Sequence, residues 1–166
     1  MALCAVAVAL LTACADDDAP QYKDAKSTPM TFVVDHPSMV RATDSNFETG
    51  DRIGLYVSAA DAPLEIGGNL VNNEALTFDG SQWTAARMLY WDEGTYNAYA
   101  YYPYIKDVSS VEDQLFSVSV DQSKARTSTS LGGYEASDLL FAVSKDITAS
   151  TSPIHLTFRH IMSKLK

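Results

Sequence analysis

Three histidines, His36, His155 and His160, are the side chains of this chain best suited to hold a metal ion or relay a proton. His155 and His160 are the close pair, and a five-residue gap along a strand points them to opposite faces. That spacing argues against a metal site. Carboxylates come next, because a pair such as Glu93 and Asp138 set across a sugar could cleave a glycosidic bond. Most of the acidic residues sit among Gly, Asn and Ser, as Asp51, Asp79 and Asp92 do, and turn chemistry accounts for them. There is no Gly-x-Ser-x-Gly elbow and no phosphate-binding loop, and Gly67-Gly68-Asn69 reads as a plain turn. The residues nominate no catalytic group, no cofactor and no metal, so an enzyme is not expected. A third chemistry is stacking. Tyr90, Trp91, Tyr96, Tyr99, Tyr101, Tyr102 and Tyr104 crowd one stretch and could form a sugar platform. Alternation along 96–102 turns about half of them inward, and core packing is the favoured reading.

The two cysteines belong to a different chemistry. Met1 to Ala13 carries no charge, and Ala2 to Leu11 is almost wholly apolar. The run is too short to cross a bilayer as a helix, which needs about 20 residues, and reads as a secretory signal. It ends in Leu11-Thr12-Ala13-Cys14, which resembles the lipobox of bacterial lipoproteins. The resemblance implies cleavage before Cys14 and a lipid on its thiol. Cys4 would leave with the signal, so no thiol remains for a disulfide or a zinc site. No Lys or Arg precedes the apolar run, so the true start is expected upstream. Asp16-Asp17-Asp18 and the polar residues to about Thr28 read as a solvated tether. An acidic cluster after the lipid Cys also resembles the surface-export signal of Bacteroidota lipoproteins.

The expected organisation is a signal peptide over 1–13, a lipidated acidic tether over 14–29 and one domain over 30–166. Such a domain is large enough to bury a core without staples. The net charge of -9, with no basic stripe, argues against nucleic acid as a partner. It also argues against electrostatic attraction to anionic lipid, which leaves the lipid on Cys14 as the membrane link.

The domain reads as all-β, an antiparallel sandwich or barrel. Strands are expected at Thr31–Val34, Arg52–Val57, Ala75–Phe78, from Trp83, at Met88–Trp91, Thr95–Tyr102, Leu115–Val120, Asp138–Val143 and Ile154–Ile161. Asp79-Gly80 marks a hairpin. Phe116, Val118 and Val120 alternate and should face the core. The run to Val143 suits a strand buried on both faces. Val108–Gln114 has room for one helical turn, and Ser123–Gly133 is a loop. No turn or cap precedes Lys166, so a second half is expected beyond it, with an unpaired edge left at the break.

Several segments together resemble the fimbrillin-like (Mfa-like) family of type V pilus lipoproteins of Bacteroidota. They are Phe47-x-x-Gly50-Asp51-x-Ile53-Gly54-Leu55-Tyr56, Leu76-Thr77-x-Asp79-Gly80-x-x-Trp83, Trp91, and Tyr99-x-Tyr101-Tyr102-Pro103-Tyr104. Asp121-Gln122-Ser123, Ser137-Asp138-Leu139-Leu140-Phe141-Ala142 and Leu156-Thr157-Phe158-x-His160-x-Met162-Ser163-Lys164-Leu165 complete the set. The resemblance implies a transthyretin-like β-sandwich followed by a second such domain, and a role as stalk, tip or anchor of an outer-membrane, cell-surface pilus. It implies assembly with other pilus subunits by donor-strand exchange. A trypsin-like protease cuts after an Arg that follows the first strand, and another subunit's strand fills the groove. Phe32, Val33 and Val34 are then the exchangeable strand, and Arg41-Ala42 the scissile bond; an ordinary surface Arg is the other reading of Arg41. Lys23 and Lys26 would also be cut, without opening a groove. A host or bacterial surface ligand is a further candidate partner. The competing reading is a surface glycan-binding lipoprotein using exposed tyrosines.

Overall fold

The computed structural model describes residues 28–37, 46–111 and 116–161. Among them are eight strands: β1 (Phe32–Asp35), β2 (Arg52–Ala59), β3 (Val71–Phe78), β4 (Trp83–Ala85), β5 (Thr95–Tyr102), β6 (Leu140–Thr148), β7 (Ile154–Thr157) and β8 (Arg159–His160). One 3-10 turn, Glu135–Ser137, is the sole named helical element among the described residues. Six strands form an antiparallel sheet in the order β4-β3-β2-β5-β6-β8, and β1 pairs with β7, in parallel, to make a second, two-stranded sheet. The all-β class and the antiparallel main sheet follow the sequence pattern.

Alternation explains the layering. Ile53, Leu55 and Val57 of β2 and Tyr96, Ala98, Ala100 and Tyr102 of β5 share the inner face, with Leu140 and Ala142 of β6. Across from them lie Met30, Ile154, Leu156 and Phe158, all in the same buried cluster. The small alanines at 98 and 100 let the second sheet approach, while Trp91 and Phe158 fill the remaining volume. Two bulges bend the main sheet. One sits between Leu55 and Val57, near Asn73 with φ 44°, and one between Tyr96 and Ala98, near Asp146 with φ 56°. Asn and Asp tolerate this left-handed backbone better than other side chains. Asp79 closes the β3–β4 hairpin by accepting hydrogen bonds from the backbone of Ser81 and Gln82, and Gly80 takes φ 102°.

Four expectations fail. Residues 116–120 form no strand, Val118 is exposed and Val120 fully so. The backbone there is satisfied instead by a side chain, Ser137 Oγ accepting from Ser119 N, and only Phe116 reaches apolar surroundings. Leu115 lies outside the described residues. β6 is buried on one face only: Leu140 and Ala142 point in, while Val143 is 39% exposed because nothing covers that end of the outer face. Met88–Trp91 makes one isolated bridge, Pro29 to Tyr90, rather than a strand, although Leu89 and Trp91 do point inward. Ile154–Ile161 is two strands in two sheets, divided at buried Phe158. Of Val108–Gln114, where one helical turn had room, residues 112–114 lie outside the described residues.

Candidate functional site

β1 sits at the margin of the fold. Its register with β7 runs Phe32 to Ile154, Val33 to His155, Val34 to Leu156 and Asp35 to Thr157. The carbonyls of Thr31 and Asp35 accept from the amides of Ile154 and Phe158 at 2.8 and 3.0 Å. The residues just before it turn their other edge to 89–91: Met30 N donates to Leu89 O, and Trp91 N donates to Thr28 O. Among the described residues no named strand other than β7 pairs with β1. Side chains alternate along 28–35. Thr28 and Met30 are buried, Phe32 and Val34 are half-buried against the core, and Thr31, Val33 and Asp35 face out. The segment therefore lies in a trough floored by Ile154, Leu156, Leu89 and Trp91.

At the C-terminal end of β1 the trough closes on an aromatic cage. Phe47 lies edge-on to Trp83, Tyr102, Phe158 and His36, with ring centres 4.9, 5.6, 5.7 and 4.8 Å away. Each such pair adds about 0.5–1.5 kcal/mol beyond area burial. Phe47 is held by a local turn in which Glu48 N donates to Asp51 Oδ2 and Gly50 N donates to Phe78 O. Asp51 is a buried carboxylate. Its Oδ1 accepts from Arg126 Nη1 at 2.7 Å and from the Tyr102 hydroxyl at 3.3 Å. Arg126 also reaches Glu135 and Glu48, each at 3.5 Å. Burial alone would lower the Arg126 pKa, but the bond and charge of Asp51 outweigh it and hold the guanidinium firmly charged. Burial, and then the Asp51 charge, push the Tyr102 phenol far up. The network pins the loop around 121–135 to the start of β2.

His36 and His160 meet beside this cage, with ring centres 6.2 Å apart. His160 Nδ1 lies 2.7 Å from Asp138 Oδ1. Sequence spacing selected His155 and His160 as the near pair; the fold instead exposes His155 and joins His160 to a residue 124 positions earlier. No group of three or more His, Cys, Asp or Glu suited to a metal ion occurs among the described residues. Glu93 and Asp138 are not brought together. Glu93 precedes the Thr95 end of β5, which pairs with Thr148, and Asp138 precedes Leu140, which pairs with Tyr102. Seven residues of strand separate those ends, roughly 23 Å.

The tyrosines divide between the two faces of β5. Tyr96 and Tyr102 are in the core with Trp91. Tyr99 and Tyr101 are half-buried on the outer face, where with Tyr56, Phe141, Ile105 and Phe116 they line an apolar cavity of about 340 Å³. Gly54 makes this possible, because Tyr101 lies directly over it. The Tyr101 hydroxyl donates to Asn73 Oδ1 at 2.6 Å, while Asn73 Nδ2 donates to the Ile105 carbonyl. Burial pushes the Tyr101 phenol up to about 12. Tyr104 stacks under the Arg52 guanidinium, 4.6 Å from its ring centre. Tyr90 is the one member of the stretch that is largely exposed, so no row of tyrosines faces solvent among the described residues.

Of the site residues selected from sequence, Phe32, Val33 and Val34 form β1, while Cys14, Arg41 and Ala42 lie outside the described residues, as do Lys23 and Lys26. The Asp51–Arg126 pair, 75 residues apart, and the His36–His160 contact carry no local signature and went unselected.

The profile of the fimbrillin-like family matches residues 40–166. A Bacteroides ovatus chain named as a fimbrium tip subunit, Fim1C, is 34% identical over 88 residues, which are 50% of this chain and 16% of that one. A crystal structure of a fimbrial protein from Bacteroides ovatus superposes with a TM-score of 0.57 at 22% identity, covering 80% of this chain and 28% of that one. A cell adhesion protein from the same organism gives 0.53 at 20% identity, covering 80% and 51%. At those identities the likeness is one of fold. The chain spans between about one sixth and one half of the length of these relatives.

Proposed function

Because the chain belongs to the fimbrillin-like family, we propose that it is a structural subunit of a cell-surface fimbria, built by exchange of β1 for a strand of a neighbouring subunit. In this reading it is exported as a lipoprotein through Cys14, cut between Arg41 and Ala42, and gives up everything before the cut. The observation that carries the reading is the attachment of β1. It is a four-residue strand at the margin of the fold, paired with β7 alone, with inward side chains at alternate positions over an apolar floor. Its removal would leave the backbone edge of β7 and the surfaces of Ile154 and Leu156 open, which is what an incoming extended strand pairs with. After the cut, Phe47 and the Asp51–Arg126 network would hold the new N-terminus in place.

Fimbriae purified from cells test this by N-terminal sequencing of the incorporated subunit. A sequence starting at Ala42 is the expected result. Incorporated subunits that retain residues 14–41 would overturn strand exchange for this subunit, and a blocked, lipid-bearing Cys14 on them would mark an anchor. Among the described residues, Tyr99 and Tyr101 line the apolar cavity rather than an open sugar platform.

A further inference from the structure

We propose that His36, packed against His160, is a pH-sensitive latch on β1, holding the strand while its ring is neutral and loosening it when that ring is protonated. Its use in assembly rests on the strand-exchange reading above; the latch itself rests on geometry. His36 immediately follows β1, and its ring stands edge-on to Phe47 and to His160. Its Nδ1 donates to the Pro37 carbonyl at 3.0 Å, which leaves the lone pair on Nε2. His160 donates from Nδ1 to Asp138, and its Nε2 is buried with no partner. A neutral imidazole tolerates that arrangement as an unused lone pair.

The facing charges decide how many protons the site can take. Asp138 lies against His160 and can balance one imidazolium. Asp51 faces His36 from the start of β2, but its Oδ1 is already engaged by Arg126 and Tyr102. Glu48 and Glu135 are likewise engaged with Arg126. Among the described residues, then, no carboxylate is paired with His36 to balance an imidazolium there. Burial lowers the His36 pKa and the charge of His160 reinforces this; the bond to Pro37 and the charges of Asp138 and Asp51 oppose it without reversing it. A group whose folded pKa lies below its free value stabilises the fold above that free value, about 6.5 for His. The stabilisation is lost as pH falls below it. The strain is local to the end of β1, since His36 is the residue on which that strand terminates, whereas His160 is tied to β6 through β8.

Amide hydrogen exchange of the full chain tests the latch, with β2 and β5 as internal references. Between about pH 7.5 and about pH 5, the protection of β1 relative to β2, corrected for intrinsic rates, is expected to fall about tenfold. In His36→Gln, which cannot charge, the ratio is expected to stay flat, and His160→Gln should flatten it too. An unchanged ratio in the natural sequence, or an equal fall in both variants, overturns the proposal. Arg-specific proteolysis followed by size-exclusion separation distinguishes this from failure of strand exchange. A fragment ending at Arg41 that is retained at both pH values, while β1 amides still loosen in acid, supports the latch and counts against strand release.

Discussion

Replacing Gly54 by Ala should be among the most damaging small changes available in this domain. A Cβ built at Gly54 falls within the Tyr101 ring, 2.6 Å from its hydroxyl oxygen and closer still to two ring carbons. The ring cannot simply swing aside, because its hydroxyl donates to Asn73 Oδ1 at 2.6 Å and accepts from Ile105 N at 3.3 Å. Losing those two bonds costs about 0.5–1.5 kcal/mol each, and displacing a packed ring costs a further 1–3 kcal/mol. Removing a glycine from a strand interior returns roughly 0.5–1 kcal/mol. The net cost is about 2–4 kcal/mol, a large share of the 5–15 kcal/mol typical of a domain. Urea unfolding followed by tryptophan fluorescence measures it, with an unchanged slope taken as evidence that the same surface is exposed. A double-mutant cycle with Tyr101→Ala isolates the cause, because the three atoms nearest the new methyl all belong to that side chain. Strict additivity, or a cost below about 0.5 kcal/mol for Gly54→Ala alone, would refute the close-approach argument.

Arg126→Met should destabilise the domain by about 2–4 kcal/mol, since it leaves the Asp51 carboxylate, only 3% exposed, without its cation; a thermal melt that moves by less than a degree or two would show the network to be dispensable. Asp79 is held down to about 2, chiefly by the backbone of Gln82 and the hydroxyl of Ser81. Its folded value lies below the free one, so the bonds of the hairpin turn stabilise the fold above about pH 4 and fade as pH falls towards 2. A carbon-13 titration of its carboxyl should therefore show a midpoint near 2, and a midpoint near the free value would contradict the turn geometry. Asn73→Ala removes the donor to Ile105 and the acceptor for Tyr101, so exchange of amides in 105–111 should quicken about tenfold while β5 stays protected; unchanged exchange would mean that the segment is held by its apolar contacts alone.

Residue patterning made the main sheet legible. Thr95–Tyr102 was legible as β5 to the residue, Arg52–Val57 stops two residues short of the end of β2, and Asp79-Gly80 marks the hairpin that joins β3 to β4. Where the pattern misled, backbone pairing was the missing term. Phe116, Val118 and Val120 alternate as well as any strand, yet no strand pairs with them among the described residues, and alternation without a partner is only a loop with apolar residues. Phe158 carries no signal that distinguishes a mid-strand aromatic from a pivot between two sheets. The polar cluster was illegible for a simpler reason. Asp51 and Arg126 lie 75 residues apart, and His36 and His160 further still, so only the crossing of the chain brings them together. Turn chemistry explained Asp51 correctly, through its bond to Glu48 N, and so concealed its second role as counterion to Arg126.

The placement of β1 has an energetic logic that bears on the proposal that this strand, among the eight described, is the one to exchange. Every other strand is covalently continuous with, or hydrogen-bonded into, the six-stranded sheet, and β7 is confined between Pro153 and the pivot at Phe158. β1 instead enters from the segment before it and leaves through 38–45 towards Phe47, whose cage of Trp83, Tyr102 and Phe158 stands without it. Fully burying side chains the size of Phe32 and Val34 stabilises a fold by about 1.5–3 kcal/mol each, and these two are only half-buried. Fixing the backbone of the four residues costs about 1–2 kcal/mol apiece. Burying these two side chains therefore offsets only part of the ordering cost, and the bonds to β7 and buried Met30 just before the strand supply the rest; a longer donor that continued the same alternation would hold the trough more firmly than the strand that came with the chain.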